Sequence, residues 1–75
     1  MSYFDDAEIV KKVTKGTMRY ELVRDENGAG DVSFRLIRYD TKNCYGEFYR
    51  DSFRNESLAN SVFNRIIRGE LTFLV

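Results

Sequence analysis

Few residues of this chain could perform acid–base or nucleophilic chemistry. The sequence contains no histidine, so the commonest general base and metal ligand is missing. Cys44 is the one cysteine, and it has no imidazole nearby in the sequence to withdraw its proton. We interpret Cys44 as a small apolar filler at the start of a strand. This inventory predicts a protein that is not an enzyme.

Oxygen ligands cluster in residues 25–31, a stretch that also contains glycine. The four side chains concerned are Asp25, Glu26, Asn27 and Asp31. A calcium loop of the EF-hand type beginning at Asp25 would need glycine at its sixth position and glutamate at its twelfth. Gly30 meets the first requirement, but Leu36 stands in place of the bidentate glutamate. We therefore expect a solvated hairpin loop, without a metal or other cofactor.

Glu47 and Asp51 are the one pair of carboxylates that we expect on a single strand face. Four residues of extended chain place them roughly 13 Å apart. An acid–base site would need both groups in one cleft with separated pKa values. Cross-strand charge pairing with Arg35 or Arg19 is the simpler expectation.

Aromatic residues and arginines form the most informative group of side chains. We expect six of them to share one outward sheet face, with Glu21 and Glu47 among them: Tyr39, Tyr45, Tyr49, Phe53, Arg19 and Arg35. Tyrosine and arginine are enriched in protein interfaces, where they give a large contact area at low entropic cost. The alternative role is structural, with cross-strand aromatic pairs that hold the strands together.

The same aromatic face could instead stack on the bases of single-stranded nucleic acid. The side chains for that role would be Tyr45, Tyr49, Arg35, Arg50 and Arg54. However, twelve basic and twelve acidic residues give a formal net charge of zero. The strong positive field of a general nucleic-acid binder is therefore absent, and nucleic acid is the less favoured partner.

A helix over residues 55–68 is the element that the sequence predicts best. Its apolar side chains all fall on one half of the helix circumference: Leu58, Ala59, Val62, Phe63, Ile66 and Ile67. Asn55 suits the N-cap, and Gly69 suits the left-handed position after the last turn. No second helix of similar quality is present, so this helix must pack on a sheet.

Alternating apolar and polar residues predict strands over residues 18–24, 32–37 and 44–53. Gly46 indicates a bulge or a close contact within the last of these strands. Residues 1–16 fit either a strand or a short helix capped by Asp5 or Asp6. Their β-branched residues favour the strand, with Lys15 and Gly16 in a tight turn.

These elements predict an α+β domain over residues 1–75, with three or four antiparallel strands in a meander and one C-terminal helix. We expect the helix to cover the sheet face lined by Met18, Tyr20, Leu22, Val32, Phe34, Leu36 and Phe48. Residues 70–75 also alternate and could return as an extra edge strand. Alternatively, they could pair with another copy through Leu71, Phe73 and Val75.

The location of the protein is expected to be cytoplasmic. A signal peptide would need a basic start and an apolar run, and the first eight residues have neither. No run of 18 apolar residues indicates a membrane span. A single cysteine also fits a reducing compartment.

The order of elements resembles a family of small uncharacterised Firmicute proteins, in which a charged β-meander precedes a helix and a Gly-Glu-Leu segment. The matching strings are RYELVRDE at residues 19–26, GDVSFRLIRYD at 30–40 and RGEL at 68–71. This resemblance implies no activity.

The sequence therefore predicts a non-enzymatic interaction module that modulates or inhibits a larger protein partner. In size and composition the chain is similar to small phage-encoded inhibitors of host defence systems. A homodimer is a further expectation, since a neutral chain with an aromatic face associates readily.

Overall fold

The computed structural model describes residues 8–26 and 28–73, which form a four-stranded antiparallel sheet packed by one C-terminal helix. The strands follow one another in the sheet in chain order, so the predicted α+β meander is confirmed. The elements are β1 (Glu8–Lys15), β2 (Met18–Glu26), β3 (Val32–Asp40), β4 (Tyr45–Phe53) and α1 (Glu56–Ile67).

The first segment is a strand within the described residues, as its β-branched composition predicted. The predicted turn at Lys15 and Gly16 is wrong by one residue. The β1–β2 connection consists of Gly16 and Thr17, because Lys15 still pairs with Met18 in the sheet. Gly16 has φ 62°, a conformation that glycine adopts without steric cost. The alternative of a helix capped by Asp5 or Asp6 begins in residues 1–7, which lie outside the described residues.

Asp40 organises the loop between β3 and β4. Its carboxylate accepts hydrogen bonds from the backbone N–H of Lys42 and Asn43 and from Nδ2 of Asn43, at 2.9, 3.2 and 2.8 Å. Cys44 follows with φ 53° and is exposed. The prediction of a buried filler at Cys44 is therefore wrong, because the loop geometry turns this residue outward before β4 begins.

Both predicted ends of α1 are confirmed. The Asn55 side chain accepts a hydrogen bond from the Leu58 N–H at 3.1 Å. At the other end Gly69 has φ 81°, and the Glu70 N–H donates to the Arg65 carbonyl at 2.8 Å. This is the pattern of a Schellman motif. Twelve residues long, α1 is too short to span a bilayer, and it is the one helix of the described part.

The core lies between α1 and one face of the sheet. Its buried members are Leu22, Phe34, Leu36, Tyr49, Ala59, Phe63, Ile66 and Phe73. Leu58, assigned to the apolar half of the helix, is 53% exposed, so the buried stripe is narrower than predicted. Two lysines of β1 cover one side of this core by reaching across to α1. Lys11 Nζ donates to Asn64 Oδ1 at 2.7 Å, and Lys15 Nζ donates to the Ile67 carbonyl at 2.7 Å.

No strand is present at residues 70–73, so the extra edge strand is not found in the described part of the tail. Phe73 is instead 5% exposed and meets Tyr49 and Tyr20 edge to face, with ring centroids 5.5 and 6.1 Å apart. Leu71 packs against the same core. The two residues proposed for self-association thus complete the fold of one chain, while Val75 lies outside the described residues.

Candidate functional site

The sheet face turned away from α1 is the surface that carries the aromatic and arginine side chains, and we call it the outer sheet surface. Strand alternation and register place on it the following residues: Arg19, Glu21, Val23, Arg35, Ile37, Tyr39 and Phe48. Leu22, Leu36 and Tyr49, on the opposite face, belong to the core. The outer sheet surface therefore keeps three of the six predicted partner-binding residues, namely Arg19, Arg35 and Tyr39.

The guanidinium of Arg35 lies over an aromatic ring at the centre of this surface. Its guanidinium carbon lies 4.2 Å from the ring centroid of Phe48, a cation–π contact. Arg35 Nε is buried and makes no hydrogen bond within the described residues. The guanidinium is thus positioned by stacking, and no described carboxylate forms an ion pair with it.

Arg19 and Tyr39 form a second stack, at the end of the sheet near the β3–β4 loop. The guanidinium carbon of Arg19 lies 4.9 Å from the Tyr39 ring centroid. Arg19 Nε is 2.9 Å from Glu21 Oε2, close enough for an ion pair but without the alignment of a hydrogen bond. Glu21 is only 9% exposed, so this carboxylate needs the arginine beside it.

Gly46 lies directly across from Tyr39 in the sheet and provides room for the tyrosine ring. A Cβ built on Gly46 would come within 3.3 Å of Tyr39 Cδ2. The prediction of a close contact at Gly46 is therefore confirmed. A side-chain hydrogen bond with Cys44 raises the pKa of Tyr39 above its ordinary value, and the positive charge of Arg19 opposes this increase. Tyr39 thus links the loop to the outer sheet surface.

An apolar strip runs beneath these stacks. Val23 and Ile37 lie on the outer sheet surface by alternation, yet they are only 1% and 6% exposed. Their cross-strand neighbours include Arg35, opposite Val23, and Phe48, opposite Ile37. The surface is therefore a second, smaller apolar layer rimmed by charged groups, which is the composition of many protein interfaces.

Tyr49 and Phe53 are on the other face, so the prediction that they belong to the outward face is wrong. Tyr49 is 6% exposed in the core, and Phe53 packs against it. Tyr45 follows the same alternation as Tyr49 and is 61% exposed at the start of β4. Phe48, which we expected under the helix, lies on the outer sheet surface instead. The sequence prediction therefore assigned the two faces of β4 the wrong way round.

The length of the β3–β4 loop is the sequence signal that predicts which face of β4 is buried. Asp40 pairs with Tyr45 across a four-residue connection, so residues 45, 47 and 49 share the face of residues 40, 38 and 36. Leu36 was already expected in the core. Counting back from the loop would have placed Tyr49 beside it and Phe48 opposite.

Glu47 also has a different partner from the one predicted. Arg38 Nε donates to Glu47 Oε1 at 3.1 Å on the helix side of the sheet, and neither Arg35 nor Arg19 forms the pair. Asp51 instead lies 3.3 Å from Arg50 Nε in an exposed ion pair. The reason is again the phase of β4, which turns Glu47 toward the core edge.

Metal chemistry has no candidate site in the described part of the chain. No three His, Cys, Asp or Glu side chains there come together in a group that could hold a metal ion. Asp25 and Glu26 end β2 and Asp31 lies in the following loop, while Asn27 falls outside the described residues.

Known proteins add no further information about the site. Comparisons with protein-family models, curated proteins and solved structures found no match.

Proposed function

We propose that this protein is a non-enzymatic interaction module that binds, and so modulates or inhibits, a larger protein through the outer sheet surface. The observation that supports this function is the pair of arginine–aromatic stacks, Arg35 on Phe48 and Arg19 on Tyr39, over an apolar strip that α1 does not cover. Arginine and aromatic side chains dominate the energetics of protein interfaces.

Arg35 is the residue around which a partner would dock. A guanidinium stacked on a ring loses little conformational entropy on binding, because its orientation is already restricted. The two terminal nitrogens of the guanidinium, Nη1 and Nη2, can then form a bidentate pair with a carboxylate of the partner. Desolvation by surrounding apolar side chains strengthens such a pair, and Val23 is Arg35's direct neighbour on β2.

Single-stranded nucleic acid is the second candidate, and the ring geometry makes it weaker. Base stacking needs aromatic rings with an accessible face. Tyr49 is buried, and the rings of Tyr39 and Phe48 already carry arginine side chains. Tyr45 is the one tyrosine of the proposed set that is largely exposed, and a single ring is a poor platform for several bases.

The test is a binding comparison of Arg35→Ala with Arg54→Ala. Both remove one arginine, but Arg54 is an exposed residue between β4 and α1. A partner would be captured by chemical cross-linking to the parent protein, identified, purified and titrated against each variant. We expect Arg35→Ala to weaken binding about tenfold or more, and Arg54→Ala to have little effect.

Arg35→Lys refines this comparison, since lysine keeps the charge but lacks the planar group that stacks and pairs with a carboxylate. We expect it to lose most of the affinity that Arg35→Ala loses. Equal affinities of the parent and Arg35→Ala, with both proteins folded by circular dichroism, would rule out the outer sheet surface as the binding site.

The nucleic-acid alternative is tested by titrating a fluorescent single-stranded oligonucleotide at low salt. Binding that weakens steeply with salt, and that depends on Arg50 and Arg54, would support it and count against the protein-binding function. We expect no saturable binding to this oligonucleotide.

A further inference from the structure

We propose that the exposed edge of β1 accepts an extended acidic segment of another protein as a fifth strand of the sheet. This surface is separate from the outer sheet surface, and the inference does not rest on the proposed function. It follows from three features of β1: open backbone groups, a concentration of lysines and an exposed apolar end.

The backbone of β1 is open on one side. In the part of the chain that the structure describes, β1 pairs with β2 and has no strand on its other side. The two-residue connection makes Lys15 and Met18 a hydrogen-bonded pair, and hydrogen-bonded pairs alternate along an antiparallel ladder. The N–H and C=O groups of Thr14 and Lys12 therefore point away from β2, where a new strand can pair with them.

Three lysines lie within five residues of this edge, at positions 11, 12 and 15. Lys11 and Lys15 extend on the α1 side, where their Nζ atoms donate to Asn64 and to the Ile67 carbonyl. Lys12 is exposed and lies on the outer side, opposite Glu21 in the register. A strand added here would therefore meet positive charge on both faces, which acidic side chains complement.

The start of β1 adds an apolar contact. Ile9 and Val10 are 53% and 38% exposed, next to the β-bulge that interrupts the register between Ile9 and Lys11. The regular part of the edge is thus residues 11–15. The expected occupant has acidic residues opposite this stretch and an apolar residue near Ile9.

A second copy of β1 fits the regular part of this edge, residues 11–15, poorly. Antiparallel pairing about a two-fold axis centred on Val13 would place Lys11 opposite Lys15 of the other copy, and like charges directly opposite are destabilising. The lysines therefore disfavour self-association while leaving the edge open to an acidic strand. Nucleic acid would also be attracted by the lysines, but it does not supply the alternating N–H and C=O groups that an open strand edge pairs with.

Capped synthetic peptides provide the probe. The first peptide has the sequence Val-Glu-Glu-Val-Glu-Glu-Val, which presents glutamate on both faces of an extended strand, and the second replaces each glutamate with lysine. Each carries a fluorophore and is titrated with the full chain at low salt, using anisotropy. We expect saturable binding of the glutamate peptide, no binding of the lysine peptide, and slower hydrogen exchange of the Lys12 and Thr14 amides in the complex.

Two variants and one control test the charge and the backbone pairing that the inference invokes. Lys12→Glu reverses a charge on the edge, and Lys42→Glu makes the same change of net charge in the β3–β4 loop. We expect Lys12→Glu to weaken binding of the glutamate peptide about tenfold, and Lys42→Glu to have a much smaller effect on this affinity. Thr14→Pro removes an outward N–H, a substitution that an edge strand tolerates, and should abolish binding.

Several results would overturn the proposal. These are absence of peptide binding, equal weakening by Lys12→Glu and Lys42→Glu, or full binding by a folded Thr14→Pro variant. Slower amide exchange in β4 in place of β1 would also overturn it. Stronger, salt-dependent binding of a single-stranded oligonucleotide that displaces the peptide would assign the lysines to phosphate contacts instead. Thermal unfolding of each variant establishes that it is folded.

Discussion

Phe73 shows how much a single side chain outside the regular elements contributes to this fold. It follows the end of α1 by six residues and fills the space between Tyr49 and Tyr20. The guanidinium carbon of Arg38 also lies 5.3 Å from the Phe73 ring centroid. The tail is therefore held by packing, without strand hydrogen bonds in residues 70–73.

Phe73→Ala is expected to lower the free energy of unfolding by about 3–5 kcal/mol, because it removes a buried ring and leaves a cavity. That is a large part of the stability of a domain of this size. Leu58→Ala is the control, since Leu58 is 53% exposed, and should change stability by about 0.5 kcal/mol or less. Urea denaturation measures both, and equal effects would show that Phe73 is not part of the core.

Asp40 is expected to make stability depend on pH at the acid end. The side-chain hydrogen bond from Asn43, followed by its backbone hydrogen bond, holds the pKa of Asp40 below its ordinary value. A lowered native pKa stabilises the fold above the unfolded pKa of about 3.9, and this contribution is lost as the pH falls through the native pKa.

The pKa of Asp40 can be measured by NMR titration in the parent and in Asn43→Ala. We expect a higher pKa in Asn43→Ala, because the first of the hydrogen bonds to the carboxylate is gone. The unfolding free energy of Asn43→Ala should also fall less between pH 6 and acid pH. An unchanged Asp40 pKa would contradict the loop geometry.

At the scale of elements, the ends of α1 are determined by local chemistry. Asn55 satisfies an N–H of the first turn, and Gly69 takes the left-handed conformation that allows the Glu70 N–H to reach back to Arg65. Arg68 and Glu70 then pair across Gly69, and their contact lowers the pKa of Glu70. All of these residues lie within a few positions of one another in the sequence.

Gly69→Ala is expected to cost about 1 kcal/mol, because a side chain at φ 81° is strained by its own backbone. Nothing lies within 4 Å of the position of the added Cβ, so the cost arises from conformation and not from a clash. Gly28→Ala is the matched control, since Gly28 is equally open and its φ is not in the left-handed region. Equal thermal stability of the two variants would exclude strain at Gly69.

The four strands differ in how their places in the sheet arise. β2 and β3 alternate regularly, pair along their whole length, and were assigned to the correct faces from sequence. β4 has its register shifted between its pairs with Arg35 and Ile37. Aromatic residues occupy both faces of β4, so the apolar pattern alone did not distinguish inside from outside.

At the scale of the whole molecule, the sheet has two protected central strands and two edges. Leu22 and Leu36, on β2 and β3, are 0% and 1% exposed, whereas most residues of β1 and β4 are exposed. The side chains of Lys11 and Lys15 tie β1 to α1 at its surface. Stability is therefore expected to be uneven across the sheet.

Native-state hydrogen exchange should show this difference. The hydrogen-bonded amides between β2 and β3 are expected to exchange by global unfolding, and those of β1 and β4 at least about tenfold faster by local opening. NMR at several low denaturant concentrations distinguishes the two routes. Uniform exchange rates across all four strands would show instead that the sheet opens as a single cooperative unit.

The sequence by itself determined the elements whose signals are local: the helix with its caps, the alternation of β2 and β3, and the positions of the hairpin turns to within one residue. The sequence also excluded any role for a histidine side chain as a base or metal ligand, and it excluded the large positive net charge of a general nucleic-acid binder. The tertiary structure decided which face of β4 is buried, that Phe73 belongs to the core, and which arginines remain on the outer sheet surface. These depend on register and long-range packing, where one residue of offset reverses every side chain of a strand.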